Sequence, residues 1–261
     1  MCTDSSSLLP PAAALLGVEI VPVHVALDGR RFDDSVESTD DFYRRLRGGA
    51  VATTSQPTPS DFADAYGRAA DRGAESVVSI HLDRRTSGTI ASAEIAASAA
   101  PLPVTVVDTG TVSFGVAVCV RAAAAVTAVG GTARDAAEEA SRLGRLIENV
   151  FVARAGPGGR IPTATDWTVL RFADGAASVV STCASLADAV GRMATHTVGT
   201  GERISAAVGY AGPEMEGPAD QLAHDLLHAE NVVAVERYRV DASVGAHTGA
   251  DSLGVFWWPD P

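Results

Sequence analysis

Hydroxyls at the start of a helix can hold an anion, and "RRTSGTIASAE", residues 84–94, places Ser87 and Thr89 on either side of Gly88 in that position. A strand ending at Leu82, a short loop and a helix beginning near Ser87 leave backbone N–H groups facing outward from the carboxyl end of a sheet, where anions bind. The plainer use of Ser87 is to cap its own helix. A second hydroxyl-rich turn, "TTSQPTPSDF" at residues 53–62, also precedes a helix, so two polar turns can converge on one crevice. Two further stretches of the same kind are "CTDSSSLLP", residues 2–10, and "GAHTGADSLGV", residues 245–255, which carries His247.

Ser87 and His247 also raise the chemistry of a serine hydrolase acting on acyl substrates, with a nucleophile at a strand-to-helix turn and an imidazole base. No G-x-S-x-G elbow is present, and the candidates for an orienting carboxylate are Asp108 and Asp251. "HDLLH" sets His224 and His228 four residues apart with Asp225 between them, but Asp is shorter than the glutamate of a zincin and a third ligand is unassigned, so no metal is expected. "GPGGR" lacks the G-K-[ST] ending of a phosphate loop. Cys2, Cys119 and Cys183 are odd in number and far apart, which suggests neither a disulfide framework nor a zinc site.

The elements that must carry these residues follow from periodicity. Short β-branched runs alternate with alanine-rich helical stretches, the pattern of an α/β protein. "VEIVPVHVAL" reads as strand, "DDFYRRLRGG" as helix with Phe42, Tyr43 and Leu46 at helical spacing, and "SDFADAYGRAADRG" as a helix capped by Ser60 and stopped at Gly73. "ESVVSIHL" and "PVTVVDTG" are strands of buried type, separated by the helix that opens at Ser87 and followed by the Ala- and Val-rich helix near residues 114–128. "TARDAAEEASRLGRLIENV" reads as one more helix. Gly and Pro then cluster in "FVARAGPGGRIP", which sets a domain boundary near residue 150: an N-terminal α/β domain over 1–150 and a C-terminal one over 151–261. The C-terminal part reads as two strands around an "ADG" turn, a helix over about 185–196, a strand "ISAAVGYAG", the helix "PADQLAHDLLHAE", and strands "VVAVERYRV" and "SLGVFWW".

The 261-residue chain is long enough for a sizeable core, and its formal charge of -12, with all 20 basic residues arginine, argues against nucleic acid as a partner. No apolar run reaches the roughly 20 residues that span a bilayer, and no basic leader precedes one, so a soluble cytoplasmic protein is expected.

Taken in order, T-D-S near the start, "GVEIVP" with "LDGRRFDD", "FYRRL", "TTSQPTPSDF", "TSGT", "VVDTG" with "SFG", "GGRI" and the late "HTGADSLGV" resemble the DegV family of bacterial fatty-acid-binding proteins. The resemblance is dense over residues 2–125 and intermittent afterwards. It implies two α/β domains, the N-terminal one with a largely parallel sheet and helices on both faces, the C-terminal one smaller and mixed, with a ligand crevice between them. It implies no cofactor and no chemistry of the protein's own: a long-chain fatty acid is buried, then presented to a separate fatty acid kinase, with transient contact at a membrane surface. By motif, the ligand-binding residues it implies are Thr54 or Ser55, the Ser87–Gly88–Thr89 turn, and His247. A carboxylate in an apolar crevice needs such donors to remain charged.

Overall fold

The computed structural model describes residues 1–10, 17–33, 38–153, 167–199 and 201–260. They form two compact units, one of Met1–His24 with Ser55–Leu146 and the other of Val25–Thr54 with Ile147–Pro261.

The chain opens with β1 (Cys2–Asp4), a single 3-10 turn over Ser5–Ser7, and β2 (Glu19–Val21). The run expected as one strand is divided at Pro22, which has no N–H for a ladder, so β3 (His24–Leu27) belongs to a different sheet. There follow β4 (Arg30–Phe32), α1 (Thr39–Arg47) and β5 (Ala52–Ser55). Helix α2 (Pro59–Asp71) is capped by Thr58 rather than Ser60: Thr58 and Asp61 form a reciprocal capping box, and Pro59 supplies the preset first position. Then come β6 (Val77–His81), α3 (Thr89–Ala97), β7 (Val104–Asp108), α4 (Phe114–Ala128) and α5 (Ala133–Gly144).

In the first unit, β2, β1, β6 and β7 lie side by side in that order, and every neighbouring pair is parallel. The two-residue period of β6 turns Val77, Ser79 and His81 toward α2, whose Phe62 and Tyr66 are buried with Val77, Cys2 and Ala93 of α3 in one cluster. The alternate residues Val78 and Ile80 are buried on the opposite face, where the packed pair α4 and α5 lies. A sheet covered on both faces explains why all of β6 is buried.

The second unit continues with β8 (Glu148–Val152), β9 (Trp167–Ala173), β10 (Ala176–Cys183), α6 (Leu186–Val198), β11 (Ile204–Tyr210), α7 (Glu216–Leu227), β12 (Val232–Arg239), α8 (Ala242–Thr248) and β13 (Leu253–Pro259). Residues 148–150, read as the end of a helix, belong instead to β8, whose Val150 and Val152 fill the core on one face of its sheet. The six-stranded sheet runs β10-β9-β8-β13-β11-β12, antiparallel except for the β11–β12 pair. Asp174 and Gly175 both take positive φ at the β9–β10 turn, as the "ADG" hairpin expects.

A single cut near residue 150 does not describe this division. Residues 25–54, expected in the N-terminal domain, belong to the second unit, since Val25, Leu27, Phe32, Phe42 and Tyr43 share a core with Ala211, Val240, Ala242 and Ala250. That addition makes the mixed-sheet unit the larger of the two instead of the smaller.

Candidate functional site

Within the parallel sheet, the chain passes from β1 outward to β2 and then returns to β6 on the other side of β1, so the order reverses between β1 and β6. The carboxyl ends of strands at such a reversal are where open α/β sheets bind ligands. Two polar turns leave the sheet there: Asp4–Ser7 from β1 and the loop from Leu82 to Thr89 from β6.

Ser87 does not cap α3 in the ordinary way. The cap position is Gly88, and no side chain closes it. Ser87 Oγ instead accepts from the Thr89 N–H at 3.2 Å and lies 2.8 Å from Thr89 Oγ1. Ser87 is half-buried and Thr89 is buried. Gly88 permits a close approach: an added Cβ would fall 2.1 Å from Gln56 Oε1, and Gln56 Nε2 also lies 3.4 Å from Ser92 Oγ on α3. The "TTSQP" and "TSGT" turns therefore touch through Gln56, a residue that motif reading passed over.

The loop before Ser87 is fastened by Asp83, whose carboxylate is buried and gripped by both the guanidinium and the backbone N–H of Arg85. Burial pushes the Asp83 carboxyl up, but the Arg85 bonds outweigh it and hold the group below the usual carboxylate range. A depressed folded pKa contributes stability above the unfolded value, near 3.9, and loses it as the pH falls through the folded value. Asp83→Asn is expected to be less stable than the wild type at pH 7, with the gap between their melting temperatures closing as the pH falls below the unfolded value and through the folded one. A constant gap would mean that the carboxylate is not the source.

In the second unit, Thr54 Oγ1 and His247 Nε2 lie 2.8 Å apart although 193 residues separate them in sequence. His247 is exposed and sits in the last turn of α8, a helix where the sequence suggested a loop; Asp241 starts it by accepting from the Val244 N–H. Ser55 follows Thr54 directly and is exposed.

Among the described residues, Ser87 makes no hydrogen bond to an imidazole. The hydroxyl of Ser87 is engaged by its own turn, Asp108 accepts from Arg84 at 3.0 Å, and Asp251 from Arg47 at 2.7 Å. A fluorophosphonate probe is accordingly expected to leave Ser87 unmodified; specific labelling, read by peptide mass spectrometry, would restore the hydrolase reading.

The first unit does contain a Ser–His–Asp chain that motif reading missed. Asp4 Oδ2 is 2.7 Å from His81 Nδ1, His81 Nε2 is 2.7 Å from Ser79 Oγ, and Ser79 Oγ is 2.9 Å from the Tyr66 hydroxyl. All four residues are fully buried, Phe62 stacks edge-on against the imidazole, and the Ser79 hydroxyl is committed between His81 and Tyr66, which leaves it no role as a nucleophile. The detectable signal was polar Ser79 and His81 at alternate positions of an otherwise apolar strand.

His224 and His228 are exposed, with ring centroids 4.2 Å apart. Among the described residues no cluster of three or more His, Cys, Asp or Glu is placed to hold a metal ion, and no helix is long and apolar enough to cross a membrane. The three cysteines are free and buried, and burial raises the thiols of Cys2 and Cys119 to about 12, which removes them as nucleophiles at neutral pH. "GGRI" and the residues after it lie outside the described residues as far as 166.

Fold and turns together define an α/β protein of two units with hydroxyl-rich turns at the carboxyl ends of a parallel sheet. The chain belongs to the DegV family, described as a family of uncharacterised proteins, whose model it matches over residues 1–260. A DegV domain-containing protein of Streptomyces coelicolor is 31% identical over 282 residues, covering 97% of this chain and 95% of that protein. Among solved structures, a DegV family protein from Thermus thermophilus, reported for its fatty acid binding, is 30% identical with a TM-score of 0.88 over 99% of this chain and 98% of its own. A Thermotoga maritima protein reported to reveal a fatty acid binding function has the same TM-score, 0.88, at 21% identity, covering 99% of this chain and 98% of its own, a likeness of fold.

Proposed function

We propose that this chain binds a long-chain fatty acid, enclosing the apolar tail and holding the carboxylate with Thr54 or Ser55, Ser87, the first-turn amides at Gly88 and Thr89, and His247. It needs no cofactor and performs no chemistry on the acid; it presents the carboxylate to a separate fatty acid kinase in the cytoplasm, collecting the acid by transient contact with a membrane surface. The observation that carries the reading is the hydroxyl pair at the start of α3. Ser87 and Thr89 hold two hydroxyl protons and share one bond, so one proton has no acceptor among the described residues and is available to a bound oxyanion. The amide dipoles of α3 favour negative charge at the same end. Thr54 and His247 add a hydroxyl and a titratable imidazole whose bond to each other can be exchanged for bonds to a carboxylate. The fatty acid binding reported for the Thermus thermophilus relative supports the ligand class.

Denaturing mass spectrometry of the purified protein is expected to release free fatty acids in amounts comparable to the protein. Ser87→Ala is expected to raise the dissociation constant for a fatty acid roughly 10- to 150-fold, the worth of one hydrogen bond to a charged oxygen, while changing affinity for the alcohol and methyl ester little. Equal losses for acid, alcohol and ester would reduce Ser87 to a structural part of its turn.

A further inference from the structure

The three serines of the Ser5–Ser7 turn are not equivalent. Ser5 Oγ accepts from the Val23 N–H at 2.9 Å, and Ser6 donates to Asp4 Oδ1 through its hydroxyl and its amide. Ser7 Oγ is fully buried and has no hydrogen-bond partner among the described residues. Its place is nevertheless tightly fixed. Asp4 caps the turn at one end, Leu8 closes it at the other in the left-handed region at φ 60°, and its N–H reaches Ser5 O at 3.1 Å. Asp4 is in turn held by His81 at the end of the buried chain through Ser79 to Tyr66. The turn packs against α4, whose buried residues Phe114, Gly115, Val116, Ala117 and Val118 carry no side-chain group that could pair with a hydroxyl.

A buried, unanswered hydroxyl is unfavourable, and alanine would fill the position at lower cost. Its location gives it a use: Ser7 leaves the carboxyl end of β1, and Ser87 follows the carboxyl end of β6, the two strands that flank the reversal of the sheet. We propose that Ser7 is a further ligand-binding residue, donating its hydroxyl to the same carboxylate that Ser87 receives. This rests on the fatty acid reading above. The four-residue chain Asp4–His81–Ser79–Tyr66 acts on the site only by positioning this turn.

The test compares wild type, Ser7→Ala and the near-isosteric Ser7→Cys as full chains stripped of lipid, titrated with hexadecanoic acid, hexadecanol and methyl hexadecanoate. Ser7→Ala is expected to bind the acid roughly 10- to 100-fold more weakly with the neutral compounds unaffected, and Ser7→Cys to fall between it and wild type. The stripped Ser7→Ala protein should melt no lower than wild type, and up to a few degrees higher, since an unpaired buried hydroxyl has been removed. Unchanged affinity for the acid alongside normal wild-type binding overturns the proposal, leaving Ser7 an idle or water-bound hydroxyl. Equal loss for all three compounds also overturns it, as a packing effect. Failure of wild type to bind hexadecanoic acid while it retains another class of ligand removes the fatty acid reading itself, and Ser7's assignment to a carboxylate with it.

Discussion

Replacing His81 with alanine is expected to lower the unfolding free energy by about 3 to 5 kcal/mol, since it strips the partner from a carboxylate that is wholly out of water. Asp4 has two oxygens to satisfy. Oδ1 takes the hydroxyl and amide of Ser6, and Oδ2 takes the imidazole at 2.7 Å. Without the ring, Oδ2 loses its one partner in a fully buried space beside Phe62, which packs edge-on against the imidazole. For a chain of this size the loss corresponds to a fall in melting temperature of roughly 10 °C. Ser79→Ala removes two neutral bonds, to His81 and Tyr66, and should cost less, about 1 to 3 kcal/mol. If the two variants lose the same small amount, the charge on Asp4 is not what the chain neutralises, and the buried array is ordinary core polarity. Double substitution of Asp4 and His81 by residues of similar volume should be milder than His81→Ala alone, because the uncompensated charge is then gone.

That array shows what a sequence conceals. The strand β6 was legible from "VVSIH", and the turn after it from "TSGT", because both signals are local. The bond from His81 to Asp4 spans 77 residues and depends on β1 lying parallel beside β6, which no period within either strand reveals. For the same reason the allotment of residues 25–54 failed. Phe32, Phe42 and Tyr43 looked like ordinary helix and strand core, and only their partners Val240, Ala242 and Ala250 show which core they fill. The capping of α2 was misread by two residues through a different mechanism. Thr58, Ser60 and Asp61 can all serve at a helix start, and Pro59 decides the matter by fitting the first helical position, which leaves Thr58 to cap. Helix α8 went unseen since its seven residues include a glycine and sit in a polar stretch, although Asp241 three residues before Val244 was a usable start signal.

The same helix gives the second large effect. Tyr43→Ala is expected to destabilise the second unit by about 3 to 5 kcal/mol, as a buried aromatic ring is lost from its core. Tyr43 is fully buried, its ring centroid lies 5.2 Å from that of Phe42, and its hydroxyl donates to the carbonyls of Val240 and Asp241 at 3.0 and 3.2 Å. Those carbonyls lie at the entry to α8, and the helix rests on the ring through Gly245, where an added Cβ would come within 2.3 Å of the phenol oxygen. One side chain thus sets both the start and the seat of the helix that carries His247 to Thr54. Tyr43→Phe keeps the ring and should lose only about 1 kcal/mol. The two tyrosine variants also separate by pH. Burial, with Asp241 nearby adding to it, raises the Tyr43 phenol well above its ordinary value, so its contribution is complete below about pH 10 and is lost as the pH climbs past the unfolded value toward the folded one. Wild type should therefore lose stability above about pH 10 in excess of Tyr43→Phe, which has no proton to release there. Melting curves across that range decide it: parallel curves would show that the phenol proton is not held by the fold, and a loss under about 1 kcal/mol in Tyr43→Ala would show that α8 does not depend on the ring beneath it.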